Sequence, residues 1–187
     1  MHRYRTVVGC PQATNGLTYS EKTGRPGTSP PLKESEMSVK PIPDGYHSIT
    51  PYLGIDKAAE AIEFYQKAFD ATVFMRLDMP DGKVGHAELR IGDSPIMLAS
   101  PCDEMAFGSP GAHPTSVGLH LYVKDVDAQY KQAIAAGGTA ISEPKDQFYG
   151  DRSGTLRDPF GHVWFLATHI EELTEEQIHK RAKELFA

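Results

Sequence analysis

The sequence predicts an α+β fold: two βαβββ modules forming a concave mixed sheet, followed by a C-terminal helix. Three observations carry this. The chain repeats itself: Leu53-Gly54-Ile55-Asp56 returns as Leu121-Tyr122-Val123-Lys124, and Met97-Leu98-Ala99-Ser100 as Phe165-Leu166-Ala167-Thr168, each with an offset of 68 residues. Each copy runs through the same order of periodicities, one strand, one helix and three strands. A capping box and an amphipathic run then close the chain.

The first module spans residues 47–100. Ser48–Ile55 reads as a strand, and Asp56 is positioned to cap a helix whose apolar residues Ala58, Ala61, Ile62, Tyr65, Ala68 and Phe69 recur at helical spacing. Thr72–Asp78, Val84–Ile91 and Pro95–Ser100 are strands. The turn Pro80-Asp81-Gly82-Lys83 separates the first two, and Gly92-Asp93 the last two. The second module spans residues 116–168. Ser116–Val123 is a strand and Asp125–Ala136 a helix stopped by Gly137-Gly138, before short strands at Thr139–Ser142, Gly154–Arg157 and His162–Thr168. The linker from Pro101 to Thr115 holds three prolines and two glycines, which suits a crossing. Residues 174–186 form the last helix, with Thr174 and Gln177 as the capping box and Leu173 and Ile178 as a hydrophobic staple.

Residues 1–36 lie outside this pattern. They are rich in Gly, Pro, Ser and Thr without apolar periodicity, so a disordered N-terminal extension is expected, with residues 37–187 as the folded domain. A net charge of −6 with no Lys/Arg block argues against nucleic-acid binding, and no apolar run reaches membrane-spanning length. Only two cysteines, Cys10 and Cys102, are present, so a disulfide framework is excluded and a cytoplasmic setting is expected. There is no Gly-rich phosphate loop and no nucleophile elbow; no cofactor is expected.

Strand alternation sorts the candidate site residues. Leu53, Ile55, Ala87, Leu89, Leu119, Leu121, Trp164 and Leu166 face the helices. The opposite face collects Tyr52, His86, Glu88, Arg90, Met97, His120, Tyr122, Arg157 and Phe165. Aromatic side chains mixed with a few charged groups make a surface suited to a small molecule. His86, Glu88 and His120 are the candidates for proton transfer, and as His, Glu, His they also form a conceivable zinc set. Asp151 and Arg152 lie in a loop before the seventh strand. Arg152 suits either an anionic ligand or a structural Asp–Arg pair.

Two such modules, with Asp158-Pro159-Phe160-Gly161-His162 before the last strand, resemble the vicinal-oxygen-chelate superfamily of glyoxalases, extradiol dioxygenases and antibiotic-resistance proteins. Ile49-Thr50-Pro51-Tyr52-Leu53, Phe64-Tyr65, His86-Ala87-Glu88, Phe148-Tyr149-Gly150-Asp151-Arg152 and Ala167-Thr168-His169 make it look like the PhnB-like branch. The resemblance implies a homodimer with modules paired within a chain or exchanged across the dimer. It also implies a cleft that takes a small-molecule ligand, here through Tyr52, His86, Glu88, Met97, His120, Tyr122, Asp151, Arg152 and Phe165. Metal-dependent members carry His or Glu at four positions that map onto Thr50, Met97, Gly118 and Phe165. None of these four side chains suits a catalytic divalent ion, so no metal is expected at that site. The readings that remain are a metal-free binding protein, a metal-free acid–base enzyme and an alternatively metallated lyase or isomerase.

Overall fold

The computed structural model describes residues 40–103, 105–111 and 115–186. The expected disordered extension at residues 1–36 lies outside the described residues. Both modules have the expected element order. The first contains β1 (Tyr52–Gly54), α1 (Ala58–Phe69), β2 (Thr72–Asp78), β3 (Val84–Ile91) and β4 (Ser94–Ala99). The second contains β5 (Gly118–Tyr122), α2 (Val126–Ala135), β6 (Thr139–Asp146), β7 (Asp151–Arg157) and β8 (Val163–His169), and α3 (Glu175–Phe186) ends the chain.

The strands form two four-stranded mixed sheets of identical topology, β1-β4-β3-β2 and β5-β8-β7-β6. In each, the first strand pairs in parallel with the last, and the remaining pairings are antiparallel. Tyr52 sits opposite Met97 in one sheet and His120 opposite Phe165 in the other, so the 68-residue repeat is also a repeat of register. No helix among the described residues is long and apolar enough to cross a membrane.

Local chemistry explains several element boundaries. Gly82 takes φ +83° in the β2–β3 turn, closed by Met79 N–H to the Lys83 carbonyl at 2.8 Å. Asp125 caps α2 by accepting from the Ala128 amide at 3.0 Å. The capping box of α3 is formed, with Thr174 N–H donating to Gln177 Oε1 at 2.8 Å and Gln177 N–H to Thr174 Oγ1 at 3.3 Å. One cap differs from expectation: α1 begins a residue later, Lys57 holds the cap position, and no side chain caps it. The Lys57 carbonyl already accepts the Ala61 amide at 3.0 Å, so Asp56 is one residue too early to serve.

The two modules share one core and join by their helix-bearing sides, α1 packing on α2. Phe69 packs against Trp164 with ring centroids 4.4 Å apart and planes tilted by 40°, and the Tyr65 hydroxyl donates to Asp158 Oδ2 at 2.8 Å. Asp158, 3% exposed, also accepts from Trp164 Nε1 at 3.0 Å and from the Phe160 and His162 amides at 2.9 Å each. The Asp-Pro-Phe-Gly-His turn is therefore a clasp between modules. The helix-free sheet faces, and the free edges of β1 and β5, point elsewhere.

Candidate functional site

The free faces of the two sheets are equivalent in backbone and opposite in character. On the first sheet, one cross-strand row reads Tyr52, Met97, Glu88, with His86 two residues along β3. His86 is 1% and Glu88 8% exposed. Both faces of β3 are therefore buried, which strand alternation did not anticipate. The segment preceding β1 causes this. Pro43-Asp44-Gly45-Tyr46 makes a turn, with Gly45 at φ +83° and Tyr46 N–H bonded to the Pro43 carbonyl at 3.1 Å. The turn lays Tyr46 against the face, edge-on to Phe74 and with its hydroxyl donating to Glu88 Oε2.

These groups form a chain of hydrogen bonds. Glu88 Oε1 meets His86 Nε2 at 3.1 Å, and His86 Nδ1 meets the Tyr52 hydroxyl at 2.9 Å. With His86 Nε2–H donating to Glu88, Nδ1 accepts from the Tyr52 hydroxyl. Burial, then the neighbouring Cys102 and Glu88, raise the Tyr52 phenol above its ordinary 10.0. The sequence placed Tyr52, His86, Glu88 and Met97 on one face but missed Tyr46. A Pro-Asp-Gly turn delivering an aromatic ring was the available signal.

The equivalent row on the second sheet reads His120, Phe165, Thr155. Here the face is open: Tyr122 is 61% and Phe165 42% exposed. The His120 and Phe165 rings are within 11° of parallel at 6.3 Å, and Tyr122 lies 4.8 Å from His120. At one end of this face, buried Asp151 accepts from the Tyr122 hydroxyl at 2.8 Å and contacts His169 Nδ1 at 2.7 Å. That hydrogen bond, with added attraction to Glu172 and Asp151, raises the His169 imidazole above 6.5 despite some desolvation.

Arg152 does not join this face. On β7 it points with Leu156 toward the helix side, where Nε and Nη2 grip Asp127 at 2.6 and 2.8 Å and Nη1 reaches Asp146 at 2.9 Å. These two carboxylates raise its already high pKa further. Of the two roles open to Arg152 in the sequence, the structural pairing is the one the geometry makes.

Between the free edges of β1 and β5 lies a cavity of about 1210 Å³. Tyr52, Leu53, Phe107, Leu119, His120, Tyr122, His162 and Trp164 are among its walls. His162 is 7% exposed with its Nε2 unpartnered among the described residues, and burial lowers its pKa.

The four positions onto which the resemblance maps a metal site do not suit a hard divalent ion. Met97 and Phe165 offer a thioether and a hydrocarbon ring, Thr50 a hydroxyl, and Gly118 nothing. The space above Gly118 holds the Phe165 ring: a Cβ there would stand 2.6 Å from Phe165 Cε2. Among the described residues no three His, Cys, Asp or Glu side chains gather into a metal-binding group, so His120 does not join His86 and Glu88.

Comparison with known proteins agrees with this architecture. The chain is 43% identical over 136 residues to the uncharacterized protein Mb0911c of Mycobacterium bovis, covering 70% of this chain and 89% of that protein. Its fold is similar to that of TioX from Micromonospora sp. ML1, with a TM-score of 0.55 and 24% identity over 65% of this chain and 98% of that one. The PhnB protein from Bacillus cereus has a TM-score of 0.53 and 20% identity over 65% of this chain and 99% of that one. Residues 46–166 match the profile of the Glyoxalase/Bleomycin resistance protein/Dioxygenase superfamily, and the chain belongs to that superfamily.

Proposed function

We propose that this protein binds a small, partly aromatic molecule on the open face of its second module and in the adjoining cavity, without the metal site usual in its superfamily. The observation that carries this is the solvent-exposed group His120, Tyr122 and Phe165 beside a cavity of about 1210 Å³. Clustered aromatic surface costs free energy in water, and a ligand that covers it recovers that cost. Trp164, the single tryptophan, is in the cavity wall and reports on occupancy. Screening a small-molecule library by Trp164 fluorescence and thermal shift should give ligands whose effect is lost in Phe165→Ala and Tyr122→Ala. Ligands indifferent to both substitutions would refute this site.

A second reading, a metal-free enzyme, is favoured by the chain Glu88–His86–Tyr52. In this arrangement a carboxylate orients an imidazole that in turn accepts a hydrogen bond from a phenol, a geometry suited to relaying a proton. For any ligand that is also turned over, His86→Gln should abolish turnover and leave binding intact; unchanged turnover rejects the reading. Elemental analysis of untagged protein is expected to find no stoichiometric divalent ion. One ion per chain, lost in His86→Ala or His120→Ala, would restore the alternatively metallated reading. The homodimer expectation has its support in Ile49 and Val117, 85% and 63% exposed beside the unpaired edges of β1 and β5. Sedimentation equilibrium should give twice the 20.5 kDa chain mass; a single-chain mass would reject it.

A further inference from the structure

We infer that Arg157 is the anion-anchoring residue of the second-module face, which selects a planar aromatic ligand bearing a carboxylate, sulfonate or phosphate. The inference rests on the binding reading above and adds to it a ligand class and an orientation.

The argument begins with register. Thr155, Phe165 and His120 form one cross-strand row, and Arg157, Val163 and Gly118 form the next row of the same face. Rows two residues apart are separated by roughly 7 Å. Leu156, between Thr155 and Arg157, is fully buried in the core, so Arg157 points to the open side, where it is exposed. Gly118 contributes no side chain to this row, and the edge of the Phe165 ring leans over it. A ring stacked on Phe165 therefore lies close to the Arg157 row. An arginine side chain is long enough to close on a charged substituent there.

Arg157 is also available. No carboxylate lies within ion-pairing distance of it among the described residues, whereas Arg76 and Arg181 each hold one and Arg152 holds two. Its counterpart in the first module is Arg90, two residues beyond Glu88 as Arg157 is two beyond Thr155. Arg90 lies over the Phe74 ring at 5.6 Å, and its guanidinium packs against Gly45 of the segment covering that face. The repeat has thus produced two equivalent arginines, one packed into the structure and one left open beside aromatic rings. A guanidinium is weakly hydrated and binds oxyanions through a two-pronged fork, which suits it to this task. At the far end of the face, Tyr122 and Asp151 supply hydrogen-bonding groups of the opposite polarity. The ligand's anionic end is directed to Arg157, and any hydroxyl or amine to Tyr122.

The test uses the full chain and two fluorescent probes of similar shape, the anionic 8-anilinonaphthalene-1-sulfonate and the uncharged N-phenyl-1-naphthylamine. Arg157→Gln should weaken the sulfonate by about 10-fold, as expected for loss of a charge-assisted contact, and leave the neutral probe unchanged. Lys67→Gln, an equal charge change on the exposed side of α1, should alter neither. Phe165→Ala should weaken both. If Arg157→Gln leaves sulfonate binding unchanged while Phe165→Ala weakens it, the Arg157 assignment is overturned and the site stands. If Phe165→Ala affects neither probe, the site itself is overturned, and the assignment with it.

Discussion

Replacing Asp158 by alanine tests whether the two modules are joined as described. The carboxylate accepts four hydrogen bonds, from Tyr65, Trp164 and the amides of Phe160 and His162, and is 3% exposed. Alanine leaves four donors facing an apolar interior. A single orphaned buried donor costs about 1–3 kcal/mol, and backbone relaxation or entering water recovers part of the sum. A net loss of about 3–5 kcal/mol is expected, comparable to breaking a buried charged network. At roughly 2–4 °C per kcal/mol for a domain of this size, melting should fall by about 10 °C. Tyr65→Phe removes one donor without orphaning the carboxylate and should cost about 1–2 kcal/mol. In the Asp158→Ala background the same change should be almost silent, because the partner has gone. Urea unfolding of the four proteins completes the cycle. A loss below about 1 kcal/mol for Asp158→Ala, or full additivity of the two changes, would refute the clasp. Alkaline pH offers a second measure. Burial, then Asp158, hold the Tyr65 phenol well above 10.0. The protonated phenol is thus favoured in the folded state, and its contribution is complete below pH 10 and declines as pH rises through the folded value. Tyr65→Phe should reduce that alkaline decline, leaving the share that Tyr52 contributes.

Other outcomes follow from the same geometry. His169 should titrate above 6.5 by NMR, its contribution to stability present below that pH and lost as pH rises through the folded value. Asp151→Asn should bring it back toward 6.5; an unchanged titration would rule out the Asp151 contact. Gly118→Ala places a Cβ 2.6 Å from the Phe165 ring, which is 42% exposed and free to swing outward. Melting should be nearly unchanged and ligand affinity altered, whereas global unfolding would mean the ring is fixed. A chain beginning at Met37 should melt within about 2 °C of the full chain, and a larger fall would show that residues 1–36 pack on the domain.

The module architecture was legible because it is local and repeated. Alternation put Leu53, Leu89, Leu119 and Trp164 on the helix side, and the 68-residue offset paired Met97 with Phe165. Asp125 as a helix cap and Thr174 with Gln177 as a capping box depend on neighbours within three residues, so their residue types sufficed. What the sequence could not supply were contacts between residues far apart along the chain. Glu88 read as a residue on the open face suited to a small molecule, yet Tyr46, 42 residues earlier, folds over it and it is buried. Arg152 and Arg157 are the same residue type on one strand, five positions apart. Odd spacing puts them on opposite faces, where Asp127 on α2 occupies one while the other stands open beside Phe165. Gly118 has no side chain, and a ring from the neighbouring strand covers it. Periodicity assigns a face to each side chain, and only tertiary packing decides what covers that face.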